Sequence, residues 1–140
     1  MNTALFLQVA DAIETHPERF SLDIWFYSPT KAYGDEKTGW WFEQLTTECD
    51  TTACVAGWVN ALTRGVNAAD TFRAARLLGV PEPMARARLF GAGDLSIWAD
   101  VAHEYGWNVT GYGAVADWRD IEAHQAADVL RRVARGELTL

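Results

Sequence analysis

The stretch from Cys49 to Arg64, Cys-Asp-Thr-Thr-Ala-Cys-Val-Ala-Gly-Trp-Val-Asn-Ala-Leu-Thr-Arg, limits the folds open to this chain more than any other. It reads as a helix with almost no polar face. Asp50 or Thr51 can cap its start, because either side-chain oxygen accepts from an unsatisfied N–H of the first turn. Gly65 stands where a left-handed residue ends a helix. Ala53, Gly57 and Ala61 recur every four residues, a small-residue stripe that another helix can approach closely. Cys54 or Val55, Trp58 or Val59, and Leu62 form a bulky stripe. A helix that is apolar all round has to be buried. Residues 53–63 are therefore expected at the centre, with the rest of the chain packed around them.

The flanking segments supply the packing partners. Residues 3–16 predict a first helix, capped by Asn2 or Thr3, with Phe6, Val9 and Ile13 on one face and Gln8, Asp11 and Glu14 on the other. Pro17 stops it. Phe20, Leu22 and Ile24 alternate with Ser21 and Asp23, the pattern of extended chain. Residues 24–28 and 40–45 are aromatic-rich and separated by a polar stretch with turn residues, so a small antiparallel hairpin is expected there. After the central helix, Asn67 is placed to cap residues 68–78, with Ala68, Phe72, Ala75 and Leu78 inward and Arg73 and Arg76 outward. Residues 82–90 follow Pro81. Asp94 is placed to cap residues 95–105, whose Leu95, Trp98, Val101, Ala102 and Tyr105 share a face. Residues 107–119 carry no clear period. Residues 121–135 predict the last helix, with Ala126, Val129, Leu130 and Val133 inward, Arg131, Arg132 and Arg135 outward, and Gly136 after it.

Length and charge narrow the function classes. The chain has 140 residues, the size of one domain with one core, and none of its apolar runs approaches the roughly 20 residues that span a bilayer. Met1 to Ala10 has no basic start and soon meets Asp11 and Glu14, so it does not read as a signal peptide, and a cytoplasmic location is expected. The net charge is −7, and residues 1–50 carry nine acids against Arg19, Lys31 and Lys37. An acidic surface repels phosphates, which argues against direct nucleic-acid binding; it suits a protein partner with a basic surface, although acidity that simply keeps a small domain soluble is the weightier reading.

Three candidate chemistries arise. Cys54, three positions into a helix capped by Thr51, could become a thiolate in the field of the free amides. It would need a base from His16, His103 or His124. Zinc is disfavoured because the five-residue offset of Cys49 and Cys54 is not the tight spacing of zinc knuckles, and no second cysteine pair exists. The competing reading makes Cys54 a small core residue beside Gly57 and Trp58. The seven tryptophans, Trp25, Trp40, Trp41, Trp58, Trp98, Trp107 and Trp118, could line a pocket that stacks a nucleobase. Trp40 and Trp41 are adjacent and would point to opposite faces of a strand, leaving one outside. Among the carboxylates, Asp100 and His103 can meet at three-residue spacing, and Asp117 and Asp120 flank Trp118-Arg119. Solvated surface is the commoner role for such neighbours.

Two motifs look familiar: His16-Pro17-Glu18-Arg19-Phe20 with Trp25, and Cys49-x-Thr51-x-x-Cys54-x-Ala56-Gly57-Trp58. Together they resemble small, uncharacterised proteins encoded by actinobacteria and their phages. The similarity extends loosely through residues 68–90 to Arg135-Gly136-Glu137 and omits residues 28–48. Such proteins usually have glycine where this chain has Asp50. The resemblance implies a phage or host accessory protein and transfers no catalytic residues.

The expected fold is mainly α: one domain over residues 1–140, a compact bundle of five or six short helices around a buried central helix. A small β-hairpin or extended insert spans residues 28–48. The expected function is a non-catalytic binding protein that docks on and modulates a host protein. Tyr33, Asp35, Glu36, Trp40, Trp41 and Glu43 form its candidate interface, because interfaces favour aromatic anchors beside steering charges. Cys54, Gly57 and Trp58 are expected in the core. No catalytic residue, metal, cofactor, nucleic acid or membrane is expected. A small-ligand protein with a Trp-lined nucleotide-like pocket is the alternative, and a Cys-dependent enzyme ranks third.

Overall fold

Among the described residues six helices carry the architecture, and the first and last form its backbone. The computed structural model describes residues 1–22, 26–27, 52–63, 70–90 and 94–140. Helix α1 (Thr3–Thr15) begins where Asn2 accepts from the Leu5 amide, and it buries Leu5, Phe6, Val9, Ala10 and Ile13. Helix α2 (Val55–Leu62) and helix α3 (Thr71–Leu78) follow. Helix α4 (Glu82–Met84) runs into a π-helical turn over Ala85–Leu89, closed by the Phe90 amide donating to the Ala85 carbonyl at 2.8 Å. Helix α5 (Ile97–Tyr105) precedes a short 3₁₀ turn (Trp118–Asp120) and helix α6 (Ala123–Ala134). The mainly helical bundle expected from periodicity is the observed fold.

α1 lies against α6, the most extensive helix pairing among the described residues. Their apolar stripes face each other because both carry long aliphatics at helical spacing: Phe6, Val9 and Ile13 on one side, Val129, Leu130 and Val133 on the other, all at most 1 % exposed. Arg131 of α6 then reaches over the seam to Asp11 at 2.8 Å and Glu14 at 2.6 Å on α1. Helix α2 packs against α1 and α3. Every residue from Val55 to Ala61 is buried, as an all-apolar helix requires.

The start of α2 differs from the expectation. Residues 52–53 form a two-residue strand, antiparallel to residues 26–27, with Phe26 opposite Ala53 and Tyr27 opposite Thr52. The helix therefore begins after Cys54, which is its N-cap with extended backbone (φ −77°, ψ −178°), and neither Asp50 nor Thr51 caps it. Thr52 is β-branched and suits the extended chain better than a first helical turn. Ala53 belongs to this strand and not to the helical small-residue stripe. The expected pairing of 24–28 with 40–45 falls outside the described residues, as do Gly65 and Asn67.

The inner face of α3 and the start of α5 also differ from the expectation, while Trp98, Val101 and Ala102 are buried on α5 as expected. The buried stripe of α3 is Thr71, Ala74, Ala75 and Leu78, and Phe72 is 66 % exposed. The cap is Asp70, which accepts from the Arg73 amide at 2.9 Å. Arg73 sets the roll of the helix. Its guanidinium donates to Asn60 Oδ1 (2.9 Å), Thr63 Oγ1 (2.7 Å) and the Thr63 carbonyl (2.9 Å) at the end of α2. That clamp turns the small residues inward and Phe72 outward. In α5 the cap is Ser96, accepting from Ala99, instead of Asp94, and Leu95 stands outside the helix at 63 % exposure. Helix ends follow the glycines: Gly79 has φ +67°, and a Cβ there would stand 3.2 Å from the Met1 backbone.

Candidate functional site

The fold brings the two sequence motifs together. Pro17–Arg19 form a 3₁₀ turn packed beside residues 52–53, directly before α2. His16, the C-cap of α1, stacks on Trp58 with ring centroids 6.2 Å apart and planes 16° from parallel. Arg19 is 7 % exposed and donates through Nε to Glu18 at 3.2 Å. Cys54, Gly57 and Trp58 are all buried. Among the described residues Trp58 Nε1 has no hydrogen-bond partner, a burial that costs about 1–3 kcal/mol.

This junction does not build a nucleophile. Burial pushes the Cys54 thiol up, and the opposing amides of Ala56 and Gly57 do not offset it. A thiol held neutral is neither a good nucleophile nor a good metal ligand. Cys54 stands at the N-cap and not at the third helical position; the Ala56 and Gly57 amides still reach it, and burial is what opposes the thiolate. Cys49 falls outside the described residues.

The carboxylate–histidine neighbours are likewise committed elsewhere. Asp100 accepts from Arg88 Nη2 at 2.7 Å, and Glu104 accepts from Arg132 Nη1 at 2.8 Å, while His103 is exposed between them. Arg119 grips Asp117 through two nitrogens at 2.9 Å and holds its carboxyl below the usual range. His124 lies 3.2 Å from Glu122 at the surface. Among the described residues, no three His, Cys, Asp or Glu side chains gather as a metal site would require.

The described tryptophans are mostly structural. Trp58 and Trp98 are fully buried, and Trp98 Nε1 donates to the Leu89 carbonyl at 3.0 Å. Trp107 is 6 % exposed, stacks on Tyr105 at 4.8 Å and donates to Gln125 Oε1 at 2.9 Å. A groove of about 320 Å³ at the chain ends is lined by Val80, Met84, Leu138 and Leu140 among others, with no tryptophan in its wall. Trp25, Trp40 and Trp41 fall outside the described residues, and so does the whole candidate interface of Tyr33, Asp35, Glu36, Trp40, Trp41 and Glu43.

Two exposed aromatic features escaped the sequence reading. Phe72 stands over a groove of about 410 Å³ with Asp70, Arg73 and Arg76 in its wall. Tyr112 is 90 % exposed at the tip of the loop between α5 and α6. The signal for the second was present: residues 107–116, Trp-Asn-Val-Thr-Gly-Tyr-Gly-Ala-Val-Ala, hold no charged side chain, and two glycines bracket the tyrosine.

No family model, no curated protein and no solved structure matches this chain. Among the described residues, no helix is long and apolar enough to cross a membrane.

Proposed function

We propose that the chain is a non-catalytic binding protein, an accessory protein of phage or host type that docks on a partner protein through an acidic, aromatic region. The observation that supports this reading is how the fold uses its arginines. Arg131 bridges Asp11 and Glu14, Arg132 pairs with Glu104, and Arg135 pairs with Glu137. The arginine-bearing face at 131–135 is thus consumed inside the molecule. By sequence, residues 23–50 carry six acids against Lys31 and Lys37, a balance of −4. The same region holds Tyr33, Trp40 and Trp41. Large aromatics beside net negative charge suit a basic protein surface, with the aromatics as anchors and the charge steering encounter.

The test is a reversal of charge. Asp35→Lys with Glu36→Lys should slow association with the partner captured from host lysate and flatten its dependence on salt. A variant that associates at the wild-type rate at every ionic strength would remove the electrostatic basis of the reading.

A further inference from the structure

We infer that the groove beside Phe72 on α3 is a binding site for a nucleoside phosphate, with the Phe72 ring under the base and Arg76 on the phosphate. The site is separate from the acidic region proposed above, and its failure would leave that reading standing. Its described wall is Asp70, Phe72, Arg73 and Arg76, around a volume of about 410 Å³. Phe72 and Arg76 are four residues apart, so the ring and the guanidinium rise from one face of the helix, one turn from each other. Both are exposed, Phe72 at 66 %.

Arg76 stands apart from the other described arginines. Each of those makes a side-chain hydrogen bond or ion pair. Among the described residues the Arg76 guanidinium has no such partner, so its charge is available to a ligand. Arg73 adds to it. A guanidinium carries five N–H donors, and Arg73 spends three of them on Asn60 and Thr63, which leaves two on a head group already held in place. A fixed guanidinium loses little further freedom when it takes an anion. Asp70 caps the helix through Oδ1, and its other oxygen can accept from a ribose hydroxyl. By sequence, residues 64–76 carry Arg64, Arg73 and Arg76 against Asp70, a local balance of +2.

The chemistry of the wall selects the occupant. Guanidinium groups match the geometry of a phosphate. An exposed flat ring stacks a nucleobase of any kind. A nucleoside phosphate is the small ligand that offers both at once. An acidic protein would satisfy the arginines, but a protein interface engages about 20–30 residues a side, and the described wall comes from residues 70–76 alone. The volume lies within the range of small-ligand sites, about 300–1,000 Å³.

The test titrates the full chain at low salt with ADP, GDP, CDP and UDP by calorimetry. The matching nucleosides and ribose 5-phosphate serve as the two halves of the ligand. The expected result is that at least one diphosphate binds and shifts the NMR signals of the Phe72 ring and the Arg76 Nε–H. Its nucleoside and ribose 5-phosphate should each bind at least about tenfold more weakly. Arg76→Gln should weaken the nucleotide at least about tenfold and Phe72→Leu at least about fivefold. Both variants should keep the wild-type circular dichroism and melting temperature, because both side chains are exposed. No binding of any diphosphate at millimolar concentration overturns the site, and so does binding that either variant leaves unchanged. Ribose 5-phosphate that binds as tightly as the nucleotide would reduce the groove to an anion site and overturn the stacked base. A glutamate-rich peptide that binds more tightly than every nucleotide, with the same dependence on Arg76, would assign the groove to an acidic protein and overturn the nucleotide.

Discussion

His16 lies flat against Trp58, 6.2 Å between ring centres, and so ties the end of α1 to the middle of α2. The two residues are distant in sequence and each belongs to one of the two motifs. Trp58 is fully buried with its indole N–H unpartnered, whereas Trp98, equally buried, has its N–H bonded to Leu89.

That contrast predicts unequal costs for the same substitution. Both Trp58→Phe and Trp98→Phe leave a cavity, but only the second strips a partner from a buried carbonyl. Trp98→Phe should be more destabilising than Trp58→Phe by about 1 kcal/mol or more. Urea unfolding of the two variants measures the difference, and equal midpoints would contradict the assignment of the unpartnered N–H.

Arg73 should be a stability residue despite its surface position in the sequence pattern. Its three bonds to Asn60 and Thr63 join the end of α2 to the start of α3. Arg73→Ala should cost on the order of 2–3 kcal/mol, and Arg73→Lys should recover only part of it, because an ammonium cannot reproduce the fork. Arg76→Ala, one turn from Phe72 on an exposed position, should change the melting temperature little. Similar losses for Arg73→Ala and Arg76→Ala would refute the clamp.

The α1–α6 seam should weaken in acid. Hydrogen bonding from Arg131 holds the Glu14 carboxyl below its ordinary value of 4.5. A depressed folded value means stability that is present above the unfolded value and lost as pH falls through the folded one. The loss therefore begins near pH 4.5 and grows below it. Denaturation midpoints between pH 7 and pH 3 (about the range in which carboxylates titrate) should fall less steeply for Arg131→Gln than for wild type. Parallel curves would show that the contact adds nothing to acid sensitivity.

Cys54 should be chemically quiet. With its thiol buried and pushed up by desolvation, labelling by a disulfide reagent in a Cys49→Ser background should run at least about tenfold slower in the native than in the unfolded chain. Cys54→Ala should fold normally with a modest loss of stability. Rapid native labelling would return Cys54 to the list of candidate nucleophiles.

Residues whose neighbours lie close in sequence were legible without coordinates. The apolar period of residues 3–16 placed α1 to within one residue, with Asn2 as one of its two expected caps, and Ala126, Val129, Leu130 and Val133 placed the inner face of α6. The all-apolar run after Cys54 marked α2 as buried. These follow from side-chain periodicity and capping chemistry, which act over one or two turns. Phe72 was misread because helix phase depends on what the helix meets. Thr71 and Phe72 both complete an apolar stripe with Ala75 and Leu78, and the guanidinium of Arg73 on Asn60 decides between them.

The helical class, the buried character of the helix expected over 53–63 and an acidic excess in residues 1–50 are legible in the chain alone. Composition and local period encode all three. Tertiary packing sets which of the described acids are paired, because Arg131 meets Asp11 and Glu14 across 120 and 117 positions of chain. It alone turned Phe72 outward. It alone left Tyr112 outside, at the tip of the loop between α5 and α6.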